Sequence, residues 1–511
     1  MPNEEWSINW RGAFILKLTE IADLFVVKKT VGNLDLEITG LQMDSRKVEK
    51  GNLFICVPAI QGFLEDRHHF AEDAVNNGAV ALVVERDVSI DVPKLFVKDA
   101  RHAMAVIASN FYHHPSDEMK LIGITGTNGK TTTSYILEKL FADYGLKNGL
   151  MGNIGVKIDG NVHSTDINTQ EPPVLQHNLR KMRDVNTDCC VIEVTSQGLD
   201  MKRVMGCDFN TAIFTNLTQD HLDYHGTFEE YRHTKSLLFS RLGNTFSSHD
   251  SKYAVLNTDD PHVDYFRRAT TAETVTYGIK NEADVSAKNI RLNSRGTQFL
   301  LTSFKGEIDI DLQLVGRFNV YNALAAITAA LIEGVSLESI RNSLSRVSSI
   351  NGRMEVVNEG QEYLVLVDYA HTPDALENVL QSISEFSNGK IITVFGCGGD
   401  RDKEKRPIMG EIASKYSSTV FVTSDNPRSE DPMTIMNDIE KGMKMSNLLH
   451  HELLADRKEA IYKAIEAATE DDVVVIAGKG HETNQIFKDK TIHFDDVEIV
   501  GEAISRQRLK E

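Results

Sequence analysis

A strand, a glycine-rich turn and a helix surround a lysine–threonine pair near residue 130. The apolar run Lys120–Thr125 leads into the turn 126–129, and helix-spaced apolar residues follow Lys130 and Thr131. Such a turn presents backbone N–H groups and a helix N-terminus to phosphate. The lysine would reach the outer phosphates and the threonine hydroxyl would ligate Mg²⁺. The stretch predicts a nucleotide-phosphate loop, although Ile124 stands where a strict P-loop has glycine.

Four further side chains have types suited to a metal or phosphate site. Glu193 lies in an apolar run, where a carboxylate is costly unless it is hydrogen-bonded or paired with an ion such as Mg²⁺. His221 and His225 have zincin-like spacing, but no general-base Glu follows the first and Gly226 interrupts the helix, so zinc is not expected. Lys235 lies on a helix beside an apolar stripe. Burial would lower its pKa, but the residues alone favour a lysine that extends to solvent.

Polar loops follow four short apolar segments in the last third of the chain. The segments are 363–368, 390–395, 419–423 and 472–477, and the loops are 368–373, 396–401, 425–428 and 478–482. The carboxyl ends of parallel strands meet at one edge of a sheet, where ligands collect. The pattern therefore predicts one binding edge on a parallel sheet.

Length and composition narrow the class of protein. The chain has 511 residues, too many for one core, and a net charge of −19 that argues against nucleic acid as a main partner. Its five cysteines form no C-x-x-C pair, so neither a disulfide framework nor a thiolate zinc site is expected. Residues 1–6 do not resemble a signal peptide, and no apolar run approaches the length of a membrane span. A cytoplasmic enzyme, without membrane insertion, is the expectation.

The order of elements predicts an α/β protein of three domains with bounds 1–115, 116–349 and 350–511. The first mixes short strands and helices, and 44–46 reads as a solvated turn. The second begins with the phosphate loop, whose helix we expect to stop at Gly145, and carries a strand-rich stretch over 280–312 and a helix over 320–332. The third repeats the strand–helix pattern.

These ordered strings resemble those of the Mur ligase family of peptidoglycan synthesis over nearly the whole chain. They are Gly126-Thr-Asn-Gly-Lys-Thr131, Phe214-Thr-Asn-Leu217, Asp220-His-Leu-Asp-Tyr-His-Gly226, Gly352-Arg-Met-Glu355 and the four polar loops. The resemblance implies an N-terminal UDP-sugar-binding domain, a central P-loop-type ATPase sheet and a C-terminal Rossmann-like domain for an amino acid. It implies ATP-dependent joining of meso-diaminopimelate to UDP-N-acetylmuramoyl-L-Ala-D-Glu through an acyl phosphate, by an enzyme that acts as a monomer on small molecules.

The resemblance assigns roles in the nucleotide and metal sites. The implied ATP contacts are Gly126, Thr127, Asn128, Gly129, Lys130, Thr131, Thr132, Asn319, Asn322, Arg353 and Asp368. The implied catalytic residues are Lys130, Glu193, His221 and Lys235, and the implied Mg²⁺ ligands are Thr131, Glu193, His221 and a carbamylated Lys235. Carbamylation turns a cation into an anionic ligand, which replaces the interpretation of Lys235 as a solvent-reaching lysine.

The resemblance also assigns contacts to both joined substrates. Those with the muramoyl dipeptide are Met43, Ser45, Asn168, Thr169, Gln170, Thr195, Met201 and Arg203, and those with diaminopimelate are Arg401, Asp425, Asn426, Pro427, Arg428, Gly478 and Glu482. Arg428 can clasp a distal carboxylate, which a lysine substrate lacks, and Glu482 suits an ammonium. His371 and His481 are candidates for the base that deprotonates the amine.

Departures from the family pattern lie along the muramoyl-peptide path. Gln170 and Gln197 replace a usual threonine and histidine, and Met201 replaces a common glutamine. They keep open a paralogous ligase with another acceptor, or one that uses L-lysine. A folylpolyglutamate-synthase-like ligase is disfavoured by the loops 425–428 and 478–482. A non-catalytic binding protein is disfavoured because the residues implied to be catalytic are all present.

Overall fold

The computed structural model describes residues 14–60, 62–165, 167–243, 251–293, 296–347, 349–444 and 450–508. The chain divides into two compact units. One comprises Met1–Gly123 and Lys147–Asn210, and the other comprises Ile124–Leu146 and Thr211–Glu511. The extreme N-terminus, for which the sequence predicts no signal peptide, lies outside the described residues.

Short strands and helices make up the first part of the first unit. In chain order they are β1 (Leu16–Lys17), α1 (Leu18–Asp23), β2 (Lys29–Val31), β3 (Glu37–Ile38), β4 (Gly40–Gln42), β5 (Asn52–Ile55), α2 (Ala71–Asn76), β6 (Ala81–Val84), β7 (Lys94–Phe96) and α3 (Ala100–Phe111). A five-stranded sheet has the order β2-β7-β6-β5-β4, with β4 to β7 parallel and β2 as an antiparallel edge. The segment 45–47 is a 3-10 helix in which Ser45 is buried, so the prediction of a solvated turn fits Arg46 but not Ser45.

The phosphate-loop strand and helix have the predicted bounds. Strand β8 (Lys120–Thr125) ends at the turn, and α4 (Lys130–Tyr144) begins directly after Gly129. Gly145 ends α4 with φ +92°, a left-handed conformation that glycine adopts without steric cost. This local pattern of strand, glycine turn and helix was therefore predicted correctly.

The rest of the first unit adds a second group of strands. Its elements are β9 (Asn148–Gly152), β10 (Gly155–Ile158), β11 (Asn161–His163), α5 (Pro172–Asp184), β12 (Cys189–Glu193) and α6 (Ser196–Asp200). Strand β12 is parallel to β9, while β9, β10 and β11 form an antiparallel meander. Helix α5 packs against α3, and Lys202 pairs with Asp99, so the two parts of this unit are joined by both packing and charge.

The second unit begins with parallel strands covered by long helices. Its first elements are β13 (Thr211–Phe214), α7 (Leu222–His225), α8 (Phe228–Ser240), β14 (Tyr253–Asn257), α9 (Val263–Ala269), β15 (Glu273–Gly278), β16 (Val285–Asn293), β17 (Gly296–Ser303), β18 (Gly306–Leu312), α10 (Arg317–Ile332) and α11 (Leu337–Leu344). Strands β13 to β16 are parallel, and β16 to β18 form the expected strand-rich meander. Helix α10 packs on α4 and begins at Arg317, earlier than predicted, directly after Gly316.

A separate six-stranded sheet forms the end of the second unit. The elements of this region are β19 (Glu355–Val357), β20 (Leu364–Asp368), α12 (Pro373–Ser384), β21 (Ile391–Phe395), α13 (Lys405–Tyr416), β22 (Thr419–Thr423), α14 (Pro432–Met443), β23 (His450–Leu454), α15 (Arg457–Ala467), β24 (Val473–Ala477), β25 (Asn484–Ile486), β26 (Thr491–His493) and α16 (Asp496–Arg508). The six-stranded sheet has the order β19-β20-β24-β21-β22-β23, parallel except for β19, and β25 and β26 form a separate two-stranded sheet. The four predicted apolar segments are β20, β21, β22 and β24.

Alternating side chains of this sheet pack into two hydrophobic cores, one on each face. Leu366, Val420 and Val475 face the core formed with α12, α13 and α14. Val367 and Ile476 face the core formed with α15 and α16. A sheet covered on both faces must place its ligands at the strand ends, so the polar loops after β20, β21, β22 and β24 share one edge.

No helix in the described ranges is both long and apolar enough to cross a lipid bilayer.

Glycines allow α13 and α14 to approach closely, and this contact can be tested. A Cβ atom at Gly442 would overlap the backbone carbonyl of Pro407. We expect Gly442→Ala to destabilise the domain by about 1–3 kcal/mol because the helices must separate. The midpoint of guanidinium unfolding, followed by circular dichroism, measures the effect.

A matched control is Gly501→Ala in α16, where the added Cβ would make only an ordinary contact at 3.8 Å with Glu359 Oε1. That change should stabilise the domain by roughly 0.5–1 kcal/mol because alanine has the higher helix propensity. Equal midpoints for the two variants would contradict the close helix approach.

Candidate active site

The turn between β8 and α4 holds two glycines in conformations that L side chains rarely adopt. Gly126 has φ +150° and Gly129 has φ +86°. A Cβ atom at Gly126 would overlap the hydroxyl of Thr215, and one at Gly129 would overlap the side-chain oxygen of Asn322. Only glycine fits both positions. The bare backbone allows close approach by a ligand, as a phosphate loop requires.

Residues directly after β13 brace this turn. The Asn128 N–H donates to Asn216 Oδ1 at 2.9 Å, and the Thr215 hydroxyl donates to the Asn128 carbonyl at 2.7 Å. The Thr127 N–H donates to the Asn216 carbonyl at 2.9 Å. The protein itself therefore fixes the shape of the loop.

The lysine and threonine of the motif lie in the first turn of α4. Lys130 Nζ donates to the carbonyls of Gly126 at 2.9 Å and Thr127 at 2.8 Å. The Thr131 hydroxyl accepts from Arg353 Nη2 at 3.3 Å. A cation and a hydroxyl thus flank the loop, and their contacts with phosphate and Mg²⁺ stay predictions.

A cavity of about 350 Å³ opens beside the loop, within the size range of ligand sites. The predicted nucleotide residues that line it are Asn128, Gly129, Thr132, Asn322, Arg353 and Asp368. Asn319 is not part of the lining. Its side chain accepts from Asn322 Nδ2 at 3.1 Å and donates to the Val315 carbonyl at 2.8 Å, so it orients its neighbour instead.

Aromatic and acidic side chains that sequence reasoning missed also line this cavity. Phe318 and Tyr321 alternate with the two predicted asparagines at the start of α10. The Tyr321 hydroxyl donates to Asp259 Oδ2 at 2.8 Å, and the same oxygen accepts from the Lys280 N–H at 2.8 Å. The sequence offered one signal for Phe318 and Tyr321. They lie next to Asn319 and Asn322 in the same short motif and therefore at the same end of α10.

The C-terminal sheet contributes Asp368 at the end of β20. Asp368 accepts from the N–H groups of Met354 at 2.7 Å and Ala370 at 2.8 Å. Burial raises the pKa of its carboxyl, and nearby Arg353 opposes that shift. The Arg353 guanidinium lies 4.7 Å from the ring centre of Tyr369, within cation–π range. A carboxyl group and a guanidinium therefore lie beside the cavity.

Helix α12 contributes a direct bond to the phosphate loop. Asn128 Nδ2 donates to Asp374 Oδ2 at 2.6 Å. Burial raises the pKa of Asp374, while hydrogen bonds from Asn128 and Asn378 lower it. The loop and the six-stranded sheet are thus joined at the cavity wall, a contact that the sequence did not predict.

Lys235 is buried, so the residue-based interpretation of a lysine that reaches solvent is wrong. Its side chain lies on the inner face of α8 and is 1% exposed. Lys235 Nζ donates to the Gly126 carbonyl at 2.7 Å and lies 4.7 Å from the ring centre of Tyr231. Burial, followed by the charge of Lys130, lowers its pKa well below the ordinary value. The neutral amine reacts with CO₂, so this environment fits carbamylation, which stays a prediction.

His221 caps α7 with a left-handed φ of +54°. Burial lowers its pKa to about 4, and Asp220, whose Oδ2 lies 3.4 Å from His221 Nε2, opposes the shift. Helix α7 ends at His225, so the doubt about a continuous helix through Gly226 is confirmed. In the part of the chain that the structure describes, no group of three or more His, Cys, Asp and Glu side chains is placed to hold a metal.

Glu193 is buried at the end of β12 in the first unit. Its Oε1 accepts from the Asn153 N–H at 2.9 Å. A Cβ atom at Gly152 would overlap the same carboxylate, so glycine there makes room for it. The carboxylate has a backbone partner, as a buried charge requires, and its metal role stays a prediction.

A larger cavity of about 720 Å³ lies within the first unit. Of the residues predicted for the muramoyl dipeptide, Met43, Gln170 and Arg203 line it, whereas Ser45, Asn168, Thr169, Thr195 and Met201 do not. The cations Lys47, Arg67 and Lys181 also line the cavity, and sequence reasoning missed them. They are scattered through an acidic chain, so no local charge run announced them.

Thr169 and Thr195, which were predicted to contact the muramoyl dipeptide, do not line this cavity but support Arg203, which does. Arg203 pairs with Glu171 at 2.8 Å and donates to the Thr169 carbonyl at 3.2 Å. The Thr169 hydroxyl donates to the Glu193 carbonyl at 2.9 Å and lies 2.9 Å from the Thr195 hydroxyl. Thr169 and Thr195 therefore support the wall that carries Arg203.

The departures from the family pattern take different positions. Gln170 lines the cavity, donates to the Thr165 hydroxyl at 3.1 Å and accepts from Asn178 at 2.8 Å. Met201 is buried and Gln197 accepts from the Ser196 hydroxyl at 3.3 Å, and neither lines the cavity. Among the three, Gln170 is the one placed to meet a ligand there.

Charged residues gather at the strand-end edge of the six-stranded sheet. Arg428, with φ +51°, donates to the carbonyls of Gly399 at 2.9 Å and Asn426 at 3.4 Å. Asn426 Nδ2 donates to Glu482 Oε2 at 2.8 Å. A buried oxygen of Asp425, Oδ2, has no hydrogen-bond partner among the described residues. Guanidinium and carboxylate side by side suit a zwitterionic amino-acid centre.

The remaining predicted residues frame this edge. Arg401 is exposed and donates to the Asp400 carbonyl at 2.9 Å. The ring of Tyr369 lies between the two candidate bases, 4.6 Å from His371 and 5.1 Å from His481 by ring centres. Burial lowers the pKa of both histidines, that of His481 to about 4. Both rings are therefore expected to be neutral near pH 7, as a base must be, and both roles stay predictions.

Family profiles match most of the chain. A profile described as the Mur ligase family catalytic domain matches residues 37–112, the Mur ligase middle domain matches 124–330, and the Mur ligase glutamate ligase domain matches 352–480. Together these spans include the phosphate loop, the cavity beside it and most of the charged strand-end edge.

Curated relatives are similar over nearly their full length. A protein of Halalkalibacterium halodurans is 48% identical over 96% of this chain and 100% of its own. One of Bacillus cereus is 48% identical over 92% and 94%, and one of Listeria monocytogenes is 43% identical over 94% and 97%. Each is named UDP-N-acetylmuramoyl-L-alanyl-D-glutamate--2,6-diaminopimelate ligase.

Solved structures share the fold. One described as that same ligase has a TM-score of 0.67 and 34% identity and covers 96% of this chain and 99% of its own. The MurF ligase of Thermotoga maritima in complex with ADP has a TM-score of 0.64 at 19% identity, covering 92% and 98%. The second likeness supports the fold alone.

The glycines of the loop give a test of nucleotide binding. We expect Gly129→Ala to weaken ATP binding at least tenfold, about 1.4 kcal/mol, because the methyl group would displace the side chain of Asn322, which lines the cavity. Titration calorimetry with ATP measures the change.

Gly145→Ala is the matched control. Gly145 has a similar positive φ of +92°, but no atom lies within 4 Å of an added Cβ. The control shares the backbone strain and should leave the ATP dissociation constant unchanged. Equal weakening in both variants would show that strain, and not the cavity, is responsible.

Proposed function

The chain belongs to the Mur ligase family, and we propose that it joins 2,6-diaminopimelate to UDP-N-acetylmuramoyl-L-alanyl-D-glutamate with cleavage of ATP to ADP and phosphate. The observation that carries this proposal is identity of 43–48% with curated ligases of that name over 92–96% of the chain. In this proposal the three domains span residues 1–115, 116–349 and 350–511. A cytoplasmic location fits the use of ATP and a UDP-linked precursor. We also propose that the protein acts as a monomer.

ATP is assigned to the cavity beside the phosphate loop. The loop offers backbone N–H groups without side-chain obstruction at Gly126 and Gly129, and Lys130 supplies a cation at the same turn. The wall of Phe318 and Tyr321 offers aromatic surface to a base. In this arrangement ATP extends along the cavity, with its phosphates at the loop and its base at the aromatic wall.

Diaminopimelate is assigned to the charged strand-end edge. Arg428 offers a forked donor for a carboxylate, and Glu482 offers an acceptor for an ammonium. L-lysine lacks the distal carboxylate, so it would leave Arg428 without its partner. The meso-diaminopimelate form is therefore preferred over L-lysine in this proposal.

The acceptor is assigned to the cavity of the first unit. The cations Lys47, Arg67, Lys181 and Arg203 suit the diphosphate and carboxylates of a UDP-linked peptide. Gln170 lines the same cavity, and it is the observation that favours a second candidate, a ligase of the same chemistry with another γ-glutamyl acceptor.

The proposed reaction has two steps, phosphoryl transfer to the acceptor and then amide formation. An oxygen of the D-glutamyl γ-carboxylate bonds to the γ-phosphorus, and the bond from that phosphorus to ADP breaks. The unprotonated amine of diaminopimelate then bonds to the acyl carbon, and the carbon–oxygen bond to phosphate breaks. Lys130 offsets phosphate charge in the first step. His371 and His481 are the neutral side chains near the amino-acid edge that could take the proton released by the amine.

Mg²⁺ fits the donor chemistry beside the phosphate loop. Mg²⁺ is commonly held by few protein oxygens together with substrate phosphates, so a dedicated acidic cluster is not required. The Thr131 hydroxyl and a carbamylated Lys235 are the donors proposed at the loop, and His221 is the neighbour with a neutral ring. The metal would neutralise phosphate charge. The metal role of Glu193 remains a separate prediction.

Acceptor identity is tested by product analysis. Purified protein, ATP and meso-diaminopimelate are incubated with the muramoyl dipeptide nucleotide or with another γ-glutamyl peptide, and products are identified by mass spectrometry. We expect the tripeptide nucleotide from the first mixture and no adduct from the second. An adduct only with the second acceptor would favour the Gln170-based alternative. No adduct with either would contradict ligase activity toward γ-glutamyl acceptors.

Substitution of Arg428 tests the amino-acid assignment. We expect Arg428→Ala to raise the KM for diaminopimelate by about 10–100-fold because a charge-assisted carboxylate clasp is lost. The KM for ATP should change little, and phosphate-release kinetics measure both. Arg267→Ala removes an exposed arginine paired with Asp264 and serves as the control. An unchanged KM for diaminopimelate would contradict the assignment.

A further inference from the structure

A lysine behind the strand-end edge is fully buried. Lys479 is 0% exposed, and Glu482, the carboxylate it contacts, keeps 32% of its side-chain surface exposed. An ammonium removed from water is costly unless acceptors surround it. Sequence reasoning assigned roles to Gly478 and Glu482 in this loop but none to the lysine between them.

The flanking glycines turn this lysine inward. Gly478 has φ +115° and Gly480 has φ +52°. A Cβ atom at Gly478 would lie 2.6 Å from Asp425 Oδ2, and one at Gly480 would lie 2.7 Å from the Gly352 carbonyl. Glycine at both positions lets the loop lie flat against its neighbours. The side chain of Lys479 is thereby directed beneath the edge instead of into solvent.

Lys479 reaches one oxygen of Glu482 and the residue that holds it. Its Nζ donates to Glu482 Oε2 at 3.2 Å, to Asn426 Oδ1 at 3.4 Å and to the Asn484 carbonyl at 2.5 Å. The Glu482 N–H donates to the Lys479 carbonyl at 2.9 Å. Asn426 also donates to Glu482 Oε2, at 2.8 Å. Two donors therefore occupy Oε2 and fix the carboxylate plane.

The other carboxylate oxygen is held much less tightly. Glu482 Oε1 accepts from the Tyr369 hydroxyl at 3.4 Å, a long contact. Arg428 contacts the same group of residues, because its Nη1 donates to the Asn426 carbonyl at 3.4 Å. A guanidinium and a fixed carboxylate are thus arranged to meet the carboxylate and ammonium of one amino-acid centre.

We propose that Lys479 is a positioning residue that fixes Glu482 so that its Oε1 selects the distal ammonium of diaminopimelate. The proposal rests on the proposed function. Because Lys479 is held away from the open edge, it acts through Glu482 and Asn426 and not on the substrate.

A purely structural lysine would behave differently. If Lys479 served only to fill a buried polar space and to hold Asn484, its replacement would loosen the whole loop. Binding of any amino acid at this edge would then weaken to a similar extent. The positioning role predicts a loss confined to substrates that carry the distal ammonium.

The test compares two amino acids that differ in one group. meso-Diaminopimelate carries the distal ammonium, and L-2-aminopimelate keeps both carboxylates and the attacking amine but lacks it. Steady-state phosphate release gives kcat/KM for each, and their ratio is the preference for the distal ammonium. We expect Lys479→Met to reduce that ratio at least tenfold, because charge-assisted hydrogen bonds to Glu482 are lost.

A double-mutant cycle and a control complete the test. Glu482→Gln should reduce the ratio similarly, and Lys479→Met should reduce it no further in the Glu482→Gln background. Lys488→Met removes an exposed lysine near β25 and should leave the ratio unchanged. Lys479→Gln, which keeps a donor without the charge, replaces the Met variant if thermal unfolding shows that the Met protein does not fold.

The outcomes are distinguishable from failure of the proposed function. An equal loss of kcat/KM with both amino acids, or additive losses in the double mutant, would overturn the positioning role while leaving diaminopimelate as the substrate. Wild-type protein that turns over neither amino acid would contradict the proposed function, and the positioning role with it.

Discussion

The close approach of bare backbone at the phosphate loop is the constraint on which the shape of the adjacent cavity depends. Gly126 and Gly129 leave no room for a Cβ atom against Thr215 and Asn322, so the turn 126–129, the residues after β13 and α10 meet at one point. Hydrogen bonds from the residues after β13 hold the loop in that form. The same contact brings Lys235 onto the Gly126 carbonyl, so a buried amine and the phosphate loop share one backbone group.

The second unit joins this loop to the strand-end edge of the six-stranded sheet. Asn128 bonds to Asp374, and Arg353 bonds to Thr131 while it stacks on Tyr369. Tyr369 in turn donates to Glu482. A short series of polar and aromatic contacts therefore runs from the phosphate loop to the proposed diaminopimelate site. An enzyme that activates a carboxylate with ATP and then joins it to an amine needs these sites close together.

Sequence reasoning predicted what local pattern determines. The strand, glycine turn and helix at Lys120–Tyr144 and the four strands of the C-terminal sheet followed from periodicity and glycine placement. It failed where tertiary packing decides. The residues around Lys235 favour a side chain that reaches solvent, whereas the structure buries it. Helix periodicity cannot show which element covers a given face of the helix. The lining cations Lys47, Arg67 and Lys181, and the bond between Asn128 and Asp374, join residues far apart in the chain, so no local pattern announced them.

In the proposed reaction, ATP activates the acceptor carboxylate as an acyl phosphate before the amine attacks. The most direct measurement uses muramoyl dipeptide nucleotide labelled with heavy oxygen in the D-glutamyl γ-carboxylate, incubated with the protein, ATP and diaminopimelate. Mass spectrometry of the released phosphate reports the origin of its oxygens. We expect each released phosphate to carry one labelled oxygen from the carboxylate. Unlabelled phosphate formed together with the amide product would contradict it.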